Sequence, residues 1–208
     1  MKKSYFFAVL FSVVLSGLLG CDRFSPSKPS GADNQAEPSD AQKINVQTSS
    51  GDFVITLYPD KAPETVKQII ENVKNGVYDN SVIHNVVKDY EILIGGVKPT
   101  TGNPDSTEIV NEASVDNPNK KWTVAMLHDV DKTQSDSVQF FINLKDNFEL
   151  DAQPGGESSP DTCGYCVFGI VTDGFPTLET IANTNTKVTE EFEYAPDPDI
   201  TIIKMSVQ

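Results

Sequence analysis

From Ile44 onward one pattern recurs in this chain: short runs of alternating apolar and polar residues, separated by turn-forming residues, with helical spacing in only two places. Alternation with a period of two gives a strand one buried and one outward face. Many such runs in sequence, each needing a neighbour for its apolar face, favour a closed antiparallel arrangement. Ile44 and Val46 alternate with polar residues, Ser49-Ser50-Gly51-Asp52 supplies a turn, and Phe53, Ile55 and Leu57 share one face. This predicts a hairpin. Further strands are predicted over 81–87, 92–94, 122–127, 139–144, 165–171 and 200–207. Val66, Ile69, Ile70 and Val73 have helical spacing behind Pro59-Asp60-Lys61-Ala62-Pro63-Glu64, and Asn75-Gly76 closes that helix. A shorter helix is predicted over 177–182, with Leu178 and Ile181 on one face. Residues 97–121 and 152–162 are rich in turn formers and predict two long loops. The expected fold is mainly β, an antiparallel barrel capped by two helices.

The N-terminal end reads differently. Lys2 and Lys3 precede an apolar run from Tyr5 to Leu19, shorter than the ~20 residues that span a bilayer. The run ends in Leu18-Leu19-Gly20-Cys21, which looks like a bacterial lipobox. Residues 1–20 are therefore predicted to be a lipoprotein signal peptide, cleaved before a lipid-bearing Cys21; an ordinary secretory signal is the other reading. Asp22 resembles an inner-membrane retention signal, so the expected location is the cell envelope, anchored in the periplasm. Residues 21–42 carry no apolar run that could pack, and such a coil reaches roughly 25 Å as a flexible tether. Residues 43–208 suit one domain with its own core. The net charge is −14, and loss of Lys2 and Lys3 makes it more negative. Such a surface argues against nucleic acid and anionic lipid as partners, and leaves the lipid as the membrane anchor. There is no P-loop or dinucleotide fingerprint and no internal repeat. No cofactor and no metal are expected, and the chain is expected to be a monomer.

Several motifs follow one another in order: Asp60-Lys61-Ala62-Pro63-Glu64-Thr65-Val66, Asn75-Gly76-Val77-Tyr78-Asp79, Ile83-His84-Asn85-Val86, Ile109-Val110-Asn111-Glu112-Ala113, Val124-Ala125-Met126, Gln139-Phe140-Phe141-Ile142-Asn143 and Tyr165-Cys166-Val167-Phe168-Gly169. Together they resemble the cyclophilins, the prolyl isomerase family, from about residue 44 to 207. The resemblance implies an eight-stranded cyclophilin-like barrel and proline-containing protein or peptide clients. Rotation about a peptide bond faces a barrier of ~18–20 kcal/mol. Lowering it needs a pocket for the proline ring, groups that hold the flanking backbone, and a donor to the proline nitrogen. It needs no nucleophile or cofactor. By resemblance Gln139 holds the substrate backbone, Phe141 floors the proline pocket and Met126 walls it. Leu127 and His128 belong to the segment whose backbone pairs with substrate. Phe148 matches a rim aromatic, Tyr165 a family His or Tyr, and Tyr90 the family Phe ahead of Gly-Gly. Taken alone, Met126, Phe141 and Phe148 would read as core.

The polar machinery departs from the pattern. Most active members carry Arg where this chain has Asn85, and an amide cannot supply a charged bidentate fork. The family's Phe-Met-Ile-Gln-Gly-Gly becomes Tyr90-Glu91-Ile92-Leu93-Ile94-Gly95-Gly96, with one residue extra. The Gln that supports the Arg has become Ile94 or Leu93. The expected function is a cyclophilin-type isomerase assisting exported proteins, with weak activity. The alternative is an inactive proline-peptide binding or assembly module on the membrane.

Cys163-Gly164-Tyr165-Cys166 has three readings: a disulfide between Cys163 and Cys166 in an oxidising compartment, a redox motif, or zinc with His84 and His128. The disulfide is favoured, because a redox pair normally sits at a helix start and the spacing is not that of a known zinc site. Glu190, Glu191, Glu193, Asp197 and Asp199 lack the spacing of a calcium loop and read as a solvated face.

Overall fold

The computed structural model describes residues 42–99, 101, 102 and 104–208. The predicted signal peptide, Cys21, Asp22 and the tether up to residue 41 lie outside them. Among the described residues twelve strands and two α-helices occur in the order β1 (Lys43–Thr48), β2 (Gly51–Leu57), α1 (Pro63–Lys74), β3 (Ser81–Val87), β4 (Glu91–Ile94), β5 (Glu108–Ile109), β6 (Thr123–Met126), β7 (Ser135–Asp136), β8 (Phe140–Asn143), β9 (Val167–Asp173), α2 (Phe175–Ala182), β10 (Asn185–Lys187), β11 (Ala195–Asp197) and β12 (Thr201–Val207). Eight of the strands close into a barrel in the order β1-β12-β3-β4-β8-β6-β9-β2, and all of their pairings are antiparallel. The predicted fold class therefore holds.

Register assigns every side chain to a face. Ile83, Ile94, Phe140 and Met126 follow one another across β3, β4, β8 and β6 and point into the barrel. The next row is Asn85, Leu93, Phe141, Ala125 and Val167. All of these except Asn85 belong to a second apolar cluster, separate from the barrel core, which also holds Leu127 and Leu150. The pairing of β3 with β4 slips between Ile83 and Asn85, so His84 is a bulged residue with no partner of its own.

The helices close the barrel. α1 starts with proline in its first turn and buries Thr65, Val66, Ile69, Asn72 and Val73. Its start is capped from a distance, since the Glu112 carboxylate accepts the Glu64 and Thr65 N–H groups at 3.2 and 2.8 Å. A carboxylate there satisfies orphan donors and faces the positive end of the helix. α2 begins at Phe175, two residues before the predicted start. Gly174 at φ 81° makes the turn into it, and a Cβ there would lie 2.4 Å from the Asp52 carbonyl.

Two features were not expected. The 97–121 loop carries β5, which pairs with β7, and the loop is tied down by Asn117 Nδ2 donating to Val167 O at 2.6 Å. After α2 the chain forms a small hairpin, β10 with β11. Its turn returns to β3, where Val86 N donates to Tyr194 O at 2.8 Å.

Candidate functional site: the outer face of the barrel

The outer cluster is where the sequence-predicted residues gather. Phe141 stands in the middle of β8, flanked in register by Leu93 on β4 and Ala125 on β6. Leu127, Leu150 and Val167 surround it, and Tyr58, Tyr90 and Tyr165 pack on the margin. The Tyr165 ring meets the Phe141 ring edge-on at 5.5 Å. Phe148 opens the short 3-10 turn that carries Leu150 and is 61 % exposed, so it is a rim residue and not core. Phe141 itself is 1 % exposed; its neighbours cover the floor of the cluster.

At one end of the cluster Gln139, His84 and Gly95 converge. A Cβ built on Gly95 would lie 2.9 Å from His84 Cε1 and 3.0 Å from Gln139 Cγ, so the two side chains fill the space over a bare backbone. Gln139 is held from behind by Asp136, whose Oδ1 accepts the Gln139 N–H at 2.8 Å and whose Oδ2 accepts from Nε2 at 3.4 Å. His84 is 3 % exposed, and its Nδ1 has no hydrogen-bond partner among the described residues. Burial pushes its pKa down to about 4, so the ring is neutral at ordinary pH. The Phe192 ring covers it at a centroid distance of 4.9 Å.

Asn85 lies on the outer row but is not free. Its Oδ1 accepts the Tyr194 N–H at 3.0 Å, which ties the hairpin turn to β3. The amide therefore serves as a latch at the position where the family pattern has a guanidinium.

At the other end is a titratable group that the sequence reading passed over. Glu91 is 2 % exposed, and its Oε2 has no partner among the described residues. Burial raises its pKa to about 8. It alternates with Ile92 and so shares the face of Leu93. Its charge acts on Tyr90 and Tyr165, both raised first by burial. Signals for it existed, since an acid two residues before Leu93 interrupts an apolar strand.

Four expectations need correction. Met126 and Ile94 point into the barrel core, because each is one step out of register with Phe141; they cannot wall the outer face. The outward residue beside Gln139 is Gly95 and the one opposite Phe141 is Leu93, so of the two candidates for the lost Gln only Leu93 faces the cluster. The Leu127 backbone is already paired: its N–H donates to Gln139 O at 2.9 Å and its carbonyl accepts from Asp136 N at 2.7 Å. Only its side chain is available to the site. Cys163 and Cys166 are free thiols, pointing in different directions. Cys166 joins the barrel core and meets Thr65 Oγ1 at 3.6 Å, while Cys163 Sγ meets His128 Nε2 at 3.8 Å. The His128 Nδ1 contacts the Asp129 carbonyl at 2.8 Å. A carbonyl only accepts, so Nδ1 carries the proton and Nε2 is left to accept the thiol hydrogen. Burial raises both thiol pKa values, that of Cys166 to about 11, which is the opposite of what a redox nucleophile needs. His128 stacks on Tyr165 at 4.1 Å. Among the described residues no group of three or more His, Cys, Asp or Glu could hold a metal.

The model of the cyclophilin-type peptidyl-prolyl cis-trans isomerases matches residues 43–207. The chain belongs to that family. Peptidyl-prolyl cis-trans isomerase B of Escherichia coli is 34 % identical over 165 residues, 79 % of this chain and 98 % of that protein. Isomerase cyp18 of Streptomyces antibioticus is 33 % identical over 160 residues, 76 % of this chain and 94 % of that protein. The fold is also that of a cyclophilin-type isomerase from Cryptosporidium parvum, with a TM-score of 0.66 at 22 % identity, covering 81 % of this chain and 98 % of that one. A second structure of that protein was determined in the presence of the dipeptide Ala-Pro. The isomerase assignment follows from the family.

Proposed function

We propose that this chain is a membrane-tethered cyclophilin of low catalytic power, which binds proline-containing segments of exported polypeptides on the outer face of its barrel. The observation that carries the reading is the state of Asn85. The apolar row beside it is complete, whereas the position that would donate to the proline nitrogen holds an amide engaged with Tyr194. Losing one well-placed transition-state donor costs ~10²–10³ in rate. Binding of the ring is driven by apolar burial and does not need that donor.

The test is an isomerisation assay on a standard prolyl peptide with the full chain, beside isomerase B of Escherichia coli. The expected kcat/KM is lower by roughly 100-fold; equal values sink the reading. A second reading, a binding module with no turnover, is favoured by the loss of both the cationic donor, at Asn85, and the polar side chain that would orient it, Leu93 standing beside Asn85 in the outer row. Binding of a proline peptide at an unchanged isomerisation rate would select it. The tether is tested separately. Cys21→Ser, expressed in an exporting bacterium, should release the chain from the membrane fraction, and retention there would exclude the lipid anchor.

A further inference from the structure

Asp136, the acid behind Gln139, divides its carboxylate between two tasks. Oδ1 accepts the Val138 and Gln139 N–H groups at 2.6 and 2.8 Å. That closes the turn into β8, and either Asp or Asn would do it. Oδ2 is left over and meets Gln139 Nε2 at 3.4 Å. The contact is long, but chemistry fixes its sense. A carboxylate only accepts, so the amide nitrogen faces it and the amide oxygen faces away. That oxygen lies over the bare backbone of Gly95, 3.3 Å from where a Cβ would stand.

Asp136 is itself held on two sides. Its N–H donates to Leu127 O at 2.7 Å, and it pairs with Glu108 where β7 meets β5. Ser137, next in line, donates its N–H to Thr107 O at 3.0 Å and accepts the Thr107 N–H on Oγ at 2.9 Å. The carboxylate is therefore carried on paired backbone and not on a free loop. The last torsion of a Gln side chain is broad and roughly two-fold, so an amide without such a partner presents its NH2 or its oxygen with similar ease. Of the three polar side chains at this end of the face, His84 is buried and Asn85 is latched to Tyr194. Gln139, half-buried, is the one left to face a client.

We infer that Asp136 is a positioning residue for the isomerase site: it holds the Gln139 amide so that Oε1 faces the client and accepts a backbone N–H beside the proline. The inference deepens the proline-binding reading above and rests on it. The 97–121 loop then has a part in the site, since its strand β5 pairs with the segment that carries Asp136.

Three labelled proline peptides of one sequence are titrated into the detergent-solubilised full chain by fluorescence anisotropy near neutral pH. One is all-amide; in the other two an ester oxygen replaces the N–H of the residue before or after the proline. In the wild type one ester is expected to bind roughly tenfold weaker than the amide peptide. Asp136→Asn keeps an oxygen for the two backbone N–H groups but turns an NH2 towards Gln139, so the Gln139 amide flips and the ester penalty falls towards one. Gln139→Leu should abolish the same penalty, and adding Asp136→Asn to it should change binding no further. Gln139→Glu keeps an acceptor but repels Asp136, so the penalty is again expected to fall; it leaves Asp136 intact and decides the matter if Asp136→Asn does not fold. Absence of an ester penalty in the wild type, or a penalty that survives Asp136→Asn or Gln139→Glu, overturns the inference while leaving the proline-binding reading intact. Failure of all three peptides to bind the wild type overturns that reading and the inference together.

Discussion

Asn85 Oδ1 accepts the backbone N–H of Tyr194 at 3.0 Å, and Val86 N–H donates to Tyr194 O at 2.8 Å on the next residue. The two bonds fasten the β10–β11 hairpin to the outer edge of β3. Asn85→Ala removes the first of them and is expected to cost about 1 kcal/mol, with faster amide exchange at Tyr194 and little change in the barrel amides. An unchanged Tyr194 amide would mean the latch is not held by Asn85. Asn85→Arg also breaks the latch but returns a fixed cationic donor. It is expected to raise kcat/KM at least tenfold, short of an ordinary cyclophilin, because Leu93 and Gly95 offer no polar side chain to orient it.

Gly95 tests the convergence of His84 and Gln139. A methyl group there must displace an imidazole carbon at 2.9 Å and a Gln methylene at 3.0 Å. The His ring is pinned between Gly95 and Phe192, so it cannot swing away at low cost. Gly95→Ala is expected to destabilise the domain by about 1–3 kcal/mol and to weaken proline-peptide binding through Gln139. A melting temperature equal to wild type would show that the space gives more readily than the packing implies.

The barrel strands were legible because each buried face repeats every second residue, and Phe141, Gln139 and Tyr165 were legible because their motifs surround them. Which face a residue takes was not legible at Met126 and Ile94. A single step in register inverts a side chain, and the bulge at His84 leaves no mark in the alternation. The β10–β11 hairpin escaped because Asn185-Thr186-Lys187 is exposed on both faces, so it carries no apolar period. Glu112 as a cap for α1 is a contact across 47 residues of sequence, beyond any local motif. The disulfide expectation failed for a similar reason. Spacing places two cysteines near each other, but the strand start turns Cys166 inward and leaves Cys163 facing His128.

That separation is itself testable. Alkylation of the denatured full chain without reductant, followed by mass spectrometry, is expected to label both Cys163 and Cys166. In the native state labelling should be slow at both, because burial holds each thiol protonated and the thiolate is the reactive form. A mass two hydrogens lower with both sites unlabelled would show a disulfide instead.

Glu91 makes the stability of the domain depend on pH in a defined window. Its pKa is raised by burial from 4.5 to about 8 in the fold. A raised carboxyl pKa means that the folded state holds the proton while the unfolded chain has released it. Folding is therefore unhindered below the unfolded value and grows costlier as pH rises, until the folded group ionises as well. The loss begins near pH 4.5, is complete just above pH 8 and is flat beyond. Glu91→Gln has the same shape and no charge to bury. It is expected to match wild type near pH 4 and to be more stable by about 2–4 kcal/mol at pH 8. Urea midpoints across pH 4–9 measure the gap directly, and a gap that stays constant over that range would show that Glu91 does not titrate in the fold. His84 works in the opposite direction. Its depressed pKa, about 4, removes stability as pH falls below about 6.5, so the two slopes offset each other where the windows overlap and the wild type should be most stable on a plateau at about pH 4.5–6.5, while Glu91→Gln moves the optimum above it.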